Sequence, residues 1–360
     1  MIFRDETSNK SGEFTLKHTS CLTLFTVLLF NSCGRCFSGV DADSLSAPRQ
    51  GPIARLEVNE TDQTIVVSSG GNLVLAYNKR SPAMPDDVDP IYQRSGFLHP
   101  VKSPAGHMVT AVFPLDHPHQ DGIFSAWVNT SWCGRKIDFW NLSGGTGRVL
   151  HQQVVGTFCD EASAGFEVDL VHRVVEQPVA DVLNERWKVT VRLTDSSFHC
   201  FDLETTQTAL TELPLIINEH RYGGIALRGP TRWLQPGIDR TEKDAAKATT
   251  ERREAAEFLN DRGSDRIHGN HEKSRWVSLA GHMNGQPVSI TVLCHAQNFR
   301  APQTARLHPS KPYFCFAPCV EGEFVIDKDH PFHARYRYLV TDAVPNAPWL
   351  NRQWREWCRE

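Results

Sequence analysis

The sequence lacks several signatures that identify common enzyme classes. It contains no G-x-G-x-x-G dinucleotide loop, no Walker phosphate loop, no G-x-S-x-G nucleophile elbow and no H-E-x-x-H zinc motif. The run Gly144–Gly147 is rich in glycine, but it has no strand-to-helix context of the kind that a dinucleotide loop requires. The sequence therefore gives no motif that indicates nucleotide binding, a nucleophilic serine or a zinc site on a helix.

The sequence also has no basic excess, and after its N-terminus it has no long apolar run. Its 360 residues carry a formal net charge of -4, with a pI of about 6.5. This balance gives no support to a nucleic-acid partner. Beyond Phe30, no segment approaches the roughly 20 apolar residues of a membrane-spanning helix. We therefore expect no nucleic-acid partner and no integral membrane domain in the mature chain.

Residues 1–47 have the pattern of an export signal followed by a linker. Lys10 and Lys17 precede the apolar run Leu22–Phe30, which is too short to span a bilayer, and small residues suited to cleavage follow. The segment Phe30–Cys33 faintly resembles a lipoprotein box. We expect a periplasmic or extracellular protein, with a lipid anchor or a retained N-terminal anchor as the alternatives.

The ten cysteines do not form a disulfide framework. Three lie in or near the signal, and the other seven are odd in number and widely spaced. Cys315-x-x-x-Cys319 has no matching second pair, so a structural zinc site is not expected. We expect buried thiols with one or two bridges at most, and the sequence gives no metal and no other cofactor.

Alternation of apolar and polar residues dominates from residue 53 to 343. From Trp187 to Leu193 the apolar side chains fall on one face and the polar ones on the other, as in a half-buried antiparallel strand. Turn residues separate such segments about every ten residues, which is typical of a sandwich or barrel. The sequence predicts one all-β domain over 48–346, followed by a tail at 347–360 with a short amphipathic helix.

One segment breaks this pattern. Residues Thr241–Leu259 are rich in Ala, Glu, Lys and Arg and are bracketed by Pro236-Gly237 and Gly263. We expect a helix here, because these residues are strong helix formers between helix-breaking ones. A charged helix among strands is most simply a solvated excursion on a loop, with a lid over the site as the alternative.

The stretch Val112–Asn141 combines imidazoles, carboxylates and indoles. Four polar side chains lie within six residues: Asp116, His117, His119 and Asp121. Trp127 and Trp140 follow, and indole faces stack on flat apolar surfaces such as a sugar ring. Histidines at i and i+2 of an extended segment project to one side. They suit a grip on a polar substrate, a metal site completed from elsewhere, or a structural hydrogen-bond role.

Asn218–Gly224 is a second candidate segment. Glu219 and His220 are an acid/base pair by type, although neighbours in a strand point to opposite faces. Tyr222 follows, and Arg228 suits a bidentate grip on a carboxylate or on two hydroxyls. The alternative is a strand end with solvated charges.

A third polar segment runs from residue 295 to 302, with His308-Pro309 beyond it. It supplies His295, Asn298 and Arg300 as candidate contacts to a ligand. The alternative is an ordinary connection between two strands.

Three of these motifs together resemble a known family. They are D-H-P-H-Q-x-G-I-F-x-A-W at 116–127, D-F-W-N at 138–141 and E-H-x-Y-G-G-I-x-x-R-G at 219–229. They resemble a family of exported bacterial proteins often labelled "methane oxygenase PmoA-like" and otherwise described as a domain of unknown function. The resemblance covers about residues 72–343. Where that family usually places a third histidine or an arginine, this chain has Asp121, which weakens a three-histidine metal site within this motif.

The resemblance implies an all-β fold, a large antiparallel β-sandwich like the galactose-mutarotase supersandwich, here with one inserted helix. It does not imply a membrane methane monooxygenase subunit, which needs several apolar helices. In that fold class, histidines and a carboxylate on the concave sheet face hold a pyranose, and the step from fold to function is an analogy.

We accordingly expect an exported carbohydrate-active protein, an enzyme of hydrolase, lyase or epimerase type, with a small-molecule or glycan substrate. The candidate catalytic residues are His117, His119, Glu219 and His220. The candidate substrate-binding residues are Asp116, Asp121, Trp127, Trp140, Tyr222, Arg228, His295, Asn298 and Arg300. The alternatives are a non-catalytic glycan-binding module and a metal-dependent oxidase using His117, His119 and a distant histidine.

Removal of residues 1–47 should leave a folded protein that stays in solution without detergent, because no later segment is long and apolar enough to insert into a bilayer. Circular dichroism and size-exclusion chromatography of the truncated chain measure this. A truncated protein that still requires detergent would contradict the prediction.

Overall fold

The computed structural model describes residues 55–235 and 255–360. These two ranges contain 21 β-strands and one α-helix. In chain order the strands are β1 Leu56–Glu60, β2 Thr64–Ser69, β3 Asn72–Asn78, β4 Phe97–Val101, β5 Ile123–Ala126, β6 Thr130–Trp132, β7 Arg135–Ile137, β8 Gly147–Cys159, β9 Ser163–Val174, β10 Ala180–Arg192, β11 Phe198–Ala209, β12 Leu215–Ile217, β13 Gly224–Arg228, β14 Glu257–Asn260, β15 Glu272–Lys273, β16 Trp276–Met283, β17 Gln286–Cys294, β18 Thr304–Leu307, β19 Tyr313–Phe316, β20 Phe324–Ile326 and β21 Phe332–Thr341. The helix, α1, spans Ala347–Trp357.

The strands form three sheets with antiparallel pairing. Nine strands are ordered β1-β2-β3-β4-β5-β13-β19-β18-β15, and eight are ordered β14-β16-β17-β21-β11-β10-β9-β8. A smaller sheet of four strands has the order β20-β12-β6-β7. Aromatic side chains of the two large sheets meet in one core: the Tyr77 ring lies 5.3 Å from that of Phe166, and Phe316 stacks on Tyr336 at 5.7 Å. The predicted all-β sandwich is confirmed.

Strand β10 shows why the alternation in the sequence predicted this architecture. Trp187, Val189 and Val191 are buried, whereas Arg186 and Lys188 are exposed on the other face. Burial of each large apolar side chain contributes roughly 1.5–3 kcal/mol, so a shift of the register by one residue would expose the whole set.

The buried face of β10 also carries a carboxylate. Glu185 is fully buried, and its Oε2 lies 2.7 Å from His172 Nε2 of β9. Its Oε1 accepts hydrogen bonds from Trp187 Nε1 at 2.8 Å and Thr205 Oγ1 at 2.7 Å. Burial alone would raise the pKa of Glu185, but the hydrogen bond and charge of His172, with further hydrogen bonds, lower this pKa to about 2.

The polar network continues toward the nine-stranded sheet. Trp127 Nε1 donates to Gln207 Oε1 at 2.7 Å, and Gln207 Nε2 donates to Ser125 Oγ of β5 at 3.3 Å. These bonds join β11 of one large sheet to β5, the middle strand of the other, through the core. Buried polar groups that keep their partners specify one packing arrangement, because a shifted arrangement would leave them unpaired.

Helix α1 packs on the eight-stranded sheet. It begins after Asn346, whose side chain accepts the Trp349 N–H at 2.9 Å as an N-cap. Leu350 and Trp357 are buried against apolar side chains of that sheet, as the predicted amphipathic helix requires. Among the described residues, the model contains no helix with the length and apolarity needed to cross a membrane.

The helix predicted for residues 241–259 falls largely outside the described ranges, which exclude 236–254. Its last three residues are not helical, because 257–259 belong to β14, which pairs with β16. The prediction is wrong for these residues. Phe258 is buried, its ring lies 5.8 Å from Phe314, and the Arg266 guanidinium lies over it. Packing here outweighs a helix propensity of a few tenths of a kcal/mol per residue.

The chain segments on the two sides of residues 236–254 contact each other. The Gln235 side-chain amide donates to the Ala256 carbonyl at 2.9 Å, and Ala256 N–H donates to the Trp233 carbonyl at 3.1 Å. Residues 233–235 and Ala256 are therefore fixed to each other by hydrogen bonds.

Glu185→Gln should lower the free energy of unfolding by about 3–5 kcal/mol, because it removes one partner of a fully buried pair and leaves His172 unmatched. Urea denaturation measures this. Glu167→Gln is the matched control: its ion pair with Lys188 is partly exposed, so the loss should be below about 1 kcal/mol.

The same pair of proteins gives a pH test. The pKa of Glu185 falls from its usual 4.5 to about 2, so its ionisation stabilises the fold above pH 4.5 and this contribution is lost as the pH falls toward 2. The stability difference between the natural protein and the Glu185→Gln variant should narrow over that range. A difference that stays constant would show that the pKa of Glu185 is not lowered by folding.

Candidate functional site

The H-P-H motif lies in a loop, residues 111–122, that local hydrogen bonds close. Gly122 N–H donates to the Ala111 carbonyl at 2.7 Å, and Asp121 Oδ1 accepts the Phe113 N–H at 2.8 Å. Gly122 has a φ of 56°, and a Cβ there would lie 2.0 Å from the Leu98 carbonyl oxygen, so only glycine fits. This closed loop places the His117 and His119 rings with centroids 5.4 Å apart.

A buried ion pair ties this loop to β13. Arg228 is fully buried, and its two terminal nitrogens donate to Asp116 at 2.6 and 2.9 Å. The guanidinium also donates to Gln120 Oε1 at 3.0 Å. Burial alone would raise the pKa of Asp116, but contacts with His117, Arg228 and Lys311 hold it well below its usual range. A bidentate pair of this kind fixes orientation as well as charge.

The hairpin between β18 and β19 completes the cluster. The buried Lys311 ammonium lies 2.8 Å from His117 Nδ1 and 3.5 Å from Asp116 Oδ2. The ring of His308 lies 6.2 Å from that of His117, and its Nδ1 accepts the Ser310 and Lys311 N–H groups, both at 3.2 Å. His117, His119 and His308 are all partly exposed. We call these three side chains the three-histidine patch.

Arg266 fixes that hairpin from below. Its guanidinium is buried and donates to the carbonyls of His308 at 2.7 Å and Lys311 at 2.8 Å. It also donates to the Ala256 carbonyl. The positions of His308 and Lys311 therefore depend on a cation that binds their backbone carbonyls.

Two histidines of the patch have strongly lowered pKa values. Burial, followed by electrostatic interactions with His117, Arg94 and Arg228, lowers the pKa of His119 to about 3. Burial, followed by the charges of Arg306 and Lys311, lowers the pKa of His308 to about 3. Both rings are thus neutral at pH 7, and a neutral imidazole offers one donor and one acceptor.

Asp121 lies beneath the loop and does not reach solvent. Its Oδ2 is 3.9 Å from Arg94 Nε, and neither atom has a hydrogen-bond partner among the described residues. Burial raises the pKa of Asp121 to about 7, against the lowering effect of Arg94. Asp121 was predicted to contact substrate; here its role is to shape the loop through Phe113.

A series of rings connects the three sequence motifs. Centroids of successive rings lie between 4.7 and 6.4 Å apart, in the order Tyr92, His119, His117, His308, Tyr313, Trp140, Tyr222 and His220. Trp140 and Tyr313 are buried beneath it, and the other six rings are partly exposed. Asn141 Nδ2 donates to the Tyr222 hydroxyl at 3.3 Å. The series thus joins residues from the H-P-H, D-F-W-N and E-H-x-Y-G-G motifs.

Buried polar atoms without partners are concentrated in this region. In the described ranges nine such side-chain atoms occur, and five of them belong to Arg94, Asp121, Trp140, His220 and Arg228. Native interiors contain few such atoms, and each requires an explanation such as a bound water or a ligand. Their concentration here distinguishes this region from the rest of the core.

The predicted indole wall is not present. Trp127 and Trp140 are both fully buried. Trp127 packs edge-on against Phe324 and Phe332 and hydrogen-bonds to Gln207, and Trp140 packs against Phe124. Neither indole face is open to a ligand, because both rings fill the core between strands.

Glu219 and His220 do not form an acid/base pair. The Glu219 side chain is exposed, and its carbonyl accepts a hydrogen bond from Asn129 Nδ2 at 3.2 Å. The His220 ring packs against Tyr222, and burial lowers the pKa of His220. Of the second motif, Arg228 contacts the H-P-H loop directly, and Tyr222 is joined to it through the ring series.

The third polar segment has structural contacts of its own. The His295 ring lies 4.9 Å from Trp357 of α1. Asn298 exchanges two hydrogen bonds with the Arg335 backbone, at 2.8 and 2.9 Å. Arg300 donates to the Pro318 and Gly322 carbonyls, both at 2.7 Å. These groups satisfy backbone atoms and pack α1, and no described contact joins them to the patch.

The described residues contain no group of three or more His, Cys, Asp and Glu side chains arranged to hold a metal ion. Nδ1 of His117 is occupied by Lys311, and both oxygens of Asp116 are occupied by Arg228. The donor set for an oxidase built on His117 and His119 is therefore incomplete in this part of the chain.

The sequence alone does not indicate that Lys311, Arg94, Arg266 or Tyr92 belongs to the site. It places His308 only beside a polar segment. Their place in the site follows from strand pairing, chiefly the β13–β19 register that brings the 308–311 hairpin beside Arg228.

Arg228→Met should lower the free energy of unfolding by about 3–5 kcal/mol, because Asp116 would lose its bidentate partner while buried. Chemical denaturation measures the loss. The matched control is Arg173→Met, which removes a bidentate pair with the more exposed Asp181 and should cost about 1 kcal/mol or less. Equal losses in the two variants would contradict the structural importance of the buried pair.

Comparison with known proteins assigns the chain to a family without assigning an activity. No curated protein matches the sequence significantly. A family model described as "Family of unknown function (DUF6807)" matches residues 64–355. That match covers most of the chain and includes the H-P-H loop, Arg228 and the 308–311 hairpin. The chain therefore belongs to the family of unknown function DUF6807.

Proposed function

We propose that this chain is an exported carbohydrate-active protein, of the kind labelled PmoA-like, that binds a sugar at the three-histidine patch and acts on it as an enzyme. The observation that carries the proposal is the patch itself. Three partly exposed imidazoles lie side by side, two of them neutral at pH 7, on a loop and a hairpin that a buried ion pair holds in place.

Neutral imidazoles suit hydroxyl groups. Each ring donates one hydrogen bond and accepts another, and a sugar hydroxyl does the same. A lysine or carboxylate in that place would offer only donors or only acceptors. The His117 ring lies 5.4 Å from that of His119 and 6.2 Å from that of His308, a spacing that matches several hydroxyls of a single pyranose.

Tyrosine takes the role that the sequence gave to tryptophan. Tyr92 lies beside His119, and Tyr222 lies farther along the ring series, and both are partly exposed. An exposed aromatic ring can stack on the apolar face of a pyranose, whereas the buried Trp127 and Trp140 cannot.

The support beneath the patch is rigid. Arg228, Asp116 and Gln120 form a buried network, and Arg266 holds the hairpin. A site fixed before the ligand arrives loses less conformational freedom on binding.

The catalytic part of the proposal rests on His117 and His119, and export rests on the N-terminal sequence pattern.

A specific observation favours a second candidate, a glycan-binding module without catalysis. A general base works best with a pKa near the working pH. With a pKa of about 3, His119 and His308 suit hydrogen bonding better than proton transfer.

His119→Ala should weaken binding of the sugar ligand by at least about tenfold. It should change the free energy of unfolding by less than about 1 kcal/mol, because the ring is partly exposed and makes no described hydrogen bond. A panel of mono- and oligosaccharides, followed by calorimetry and product analysis, measures both effects. His330→Ala, at an exposed histidine paired with Asp327, is the control.

Turnover by the natural protein and none by the His119→Ala variant would support an enzyme. Binding without any product would support the module. If the His119→Ala variant binds its sugar as the natural protein does, the proposed site is wrong.

A further inference from the structure

The hydrogen bonds of the three-histidine patch fix which ring nitrogen carries the proton. Nδ1 of His308 accepts two backbone N–H groups, so it holds no proton, and the proton of the neutral ring is on Nε2. An ammonium has no lone pair, so at the 2.8 Å contact Lys311 donates and His117 Nδ1 accepts. The Asp116 oxygen is farther from this Nδ1, at 3.3 Å, so we assign the His117 proton to Nε2 as well.

The two rings therefore present donors to a ligand. Their Nδ1 atoms are engaged within the protein, and each remaining Nε2 carries a hydrogen. Because the rings lie 6.2 Å apart and nearly perpendicular, their donors are available to one ligand group or to two adjacent ones. A ligand oxygen that accepts hydrogen bonds matches this pair better than a group that donates them.

The charges around the patch point to the same kind of ligand. The positive charges of Arg94 and Arg228 lower the pKa of His119. Those of Arg306 and Arg228 lower the pKa of His308. On His119 the only opposing charge of note is Asp116, which has the smaller effect. A group placed over these rings thus lies in a positive field, which stabilises a negative charge.

We infer that the ligand of the three-histidine patch is an acidic sugar whose carboxylate accepts hydrogen bonds from His308 Nε2 and His117 Nε2. This inference rests on the proposed function, and it narrows the substrate class from sugars in general to uronates and their glycans. A neutral sugar would leave the positive field uncompensated, and a carboxylate supplies both the charge and two acceptor atoms.

Matched pairs of sugars test the inference. Glucuronate and glucose differ only at C6, as do galacturonate and galactose, and acetate serves as a carboxylate without a sugar ring. Binding to the mature chain is followed by NMR of histidine-labelled protein, with the patch resonances assigned from single variants at His117, His119 and His308. We expect at least one uronate to bind about tenfold or more tightly than its neutral partner, with a preference that falls as salt rises.

Two variants of His308 distinguish loss of the hydrogen bond to the carboxylate from loss of the folded structure. His308→Phe keeps a ring and removes the donor, so the preference for the uronate should fall to about threefold or less. His308→Gln places an amide N–H near the position of Nε2 and should retain more of the preference than His308→Phe does, since both variants lose the Nδ1 acceptor. His330→Ala should retain all of it. Thermal unfolding of each variant confirms that the fold is intact.

Each other outcome has a defined meaning. If uronates and neutral sugars bind the patch equally, or if neutral sugars bind more tightly, the acidic-sugar inference is overturned and the proposed function stands. If acetate shifts the patch resonances while no sugar does, or if no probe binds, both the inference and the proposed function are overturned.

Discussion

The fully buried guanidinium of Arg228 is the constraint on which the site depends. An arginine keeps its charge at neutral pH, so a fold that buries one must supply an anion or several hydrogen-bond acceptors to its guanidinium. Asp116 meets that need through two hydrogen bonds, and Gln120 adds a third. Because these partners lie on the H-P-H loop, the loop is fixed relative to β13. The positions of His117 and His119 are fixed with it.

The sequence indicated the parts of the site better than their arrangement. Asp116, His117, His119 and Arg228 were recognisable because unusual polar residues stood among glycines and prolines in a regular β pattern. Their contact with Lys311 was not recognisable, since it depends on the pairing of β13 with β19. Period-two alternation is a local pattern that can be read directly from the sequence. Strand order depends on contacts across the whole chain.

Local patterns also misled where packing decided the outcome. Tryptophan in a polar motif reads equally well as a binding surface or as a core residue, and Trp127 proved to be core. Phe258 lies at the end of a helix-forming stretch, yet it packs in a strand beneath Arg266. In each case the deciding contact is distant in sequence.

The hydrogen bond between Gln235 and Ala256 bears on which changes in chain length this fold tolerates. Gln235 and Ala256 are bonded to each other, so this contact does not itself fix how many residues lie between them. Loop-closure entropy rises only slowly with length, by about 0.6 kcal/mol for each doubling. We therefore expect a change in the number of residues between Gln235 and Ala256 to cost the fold little stability.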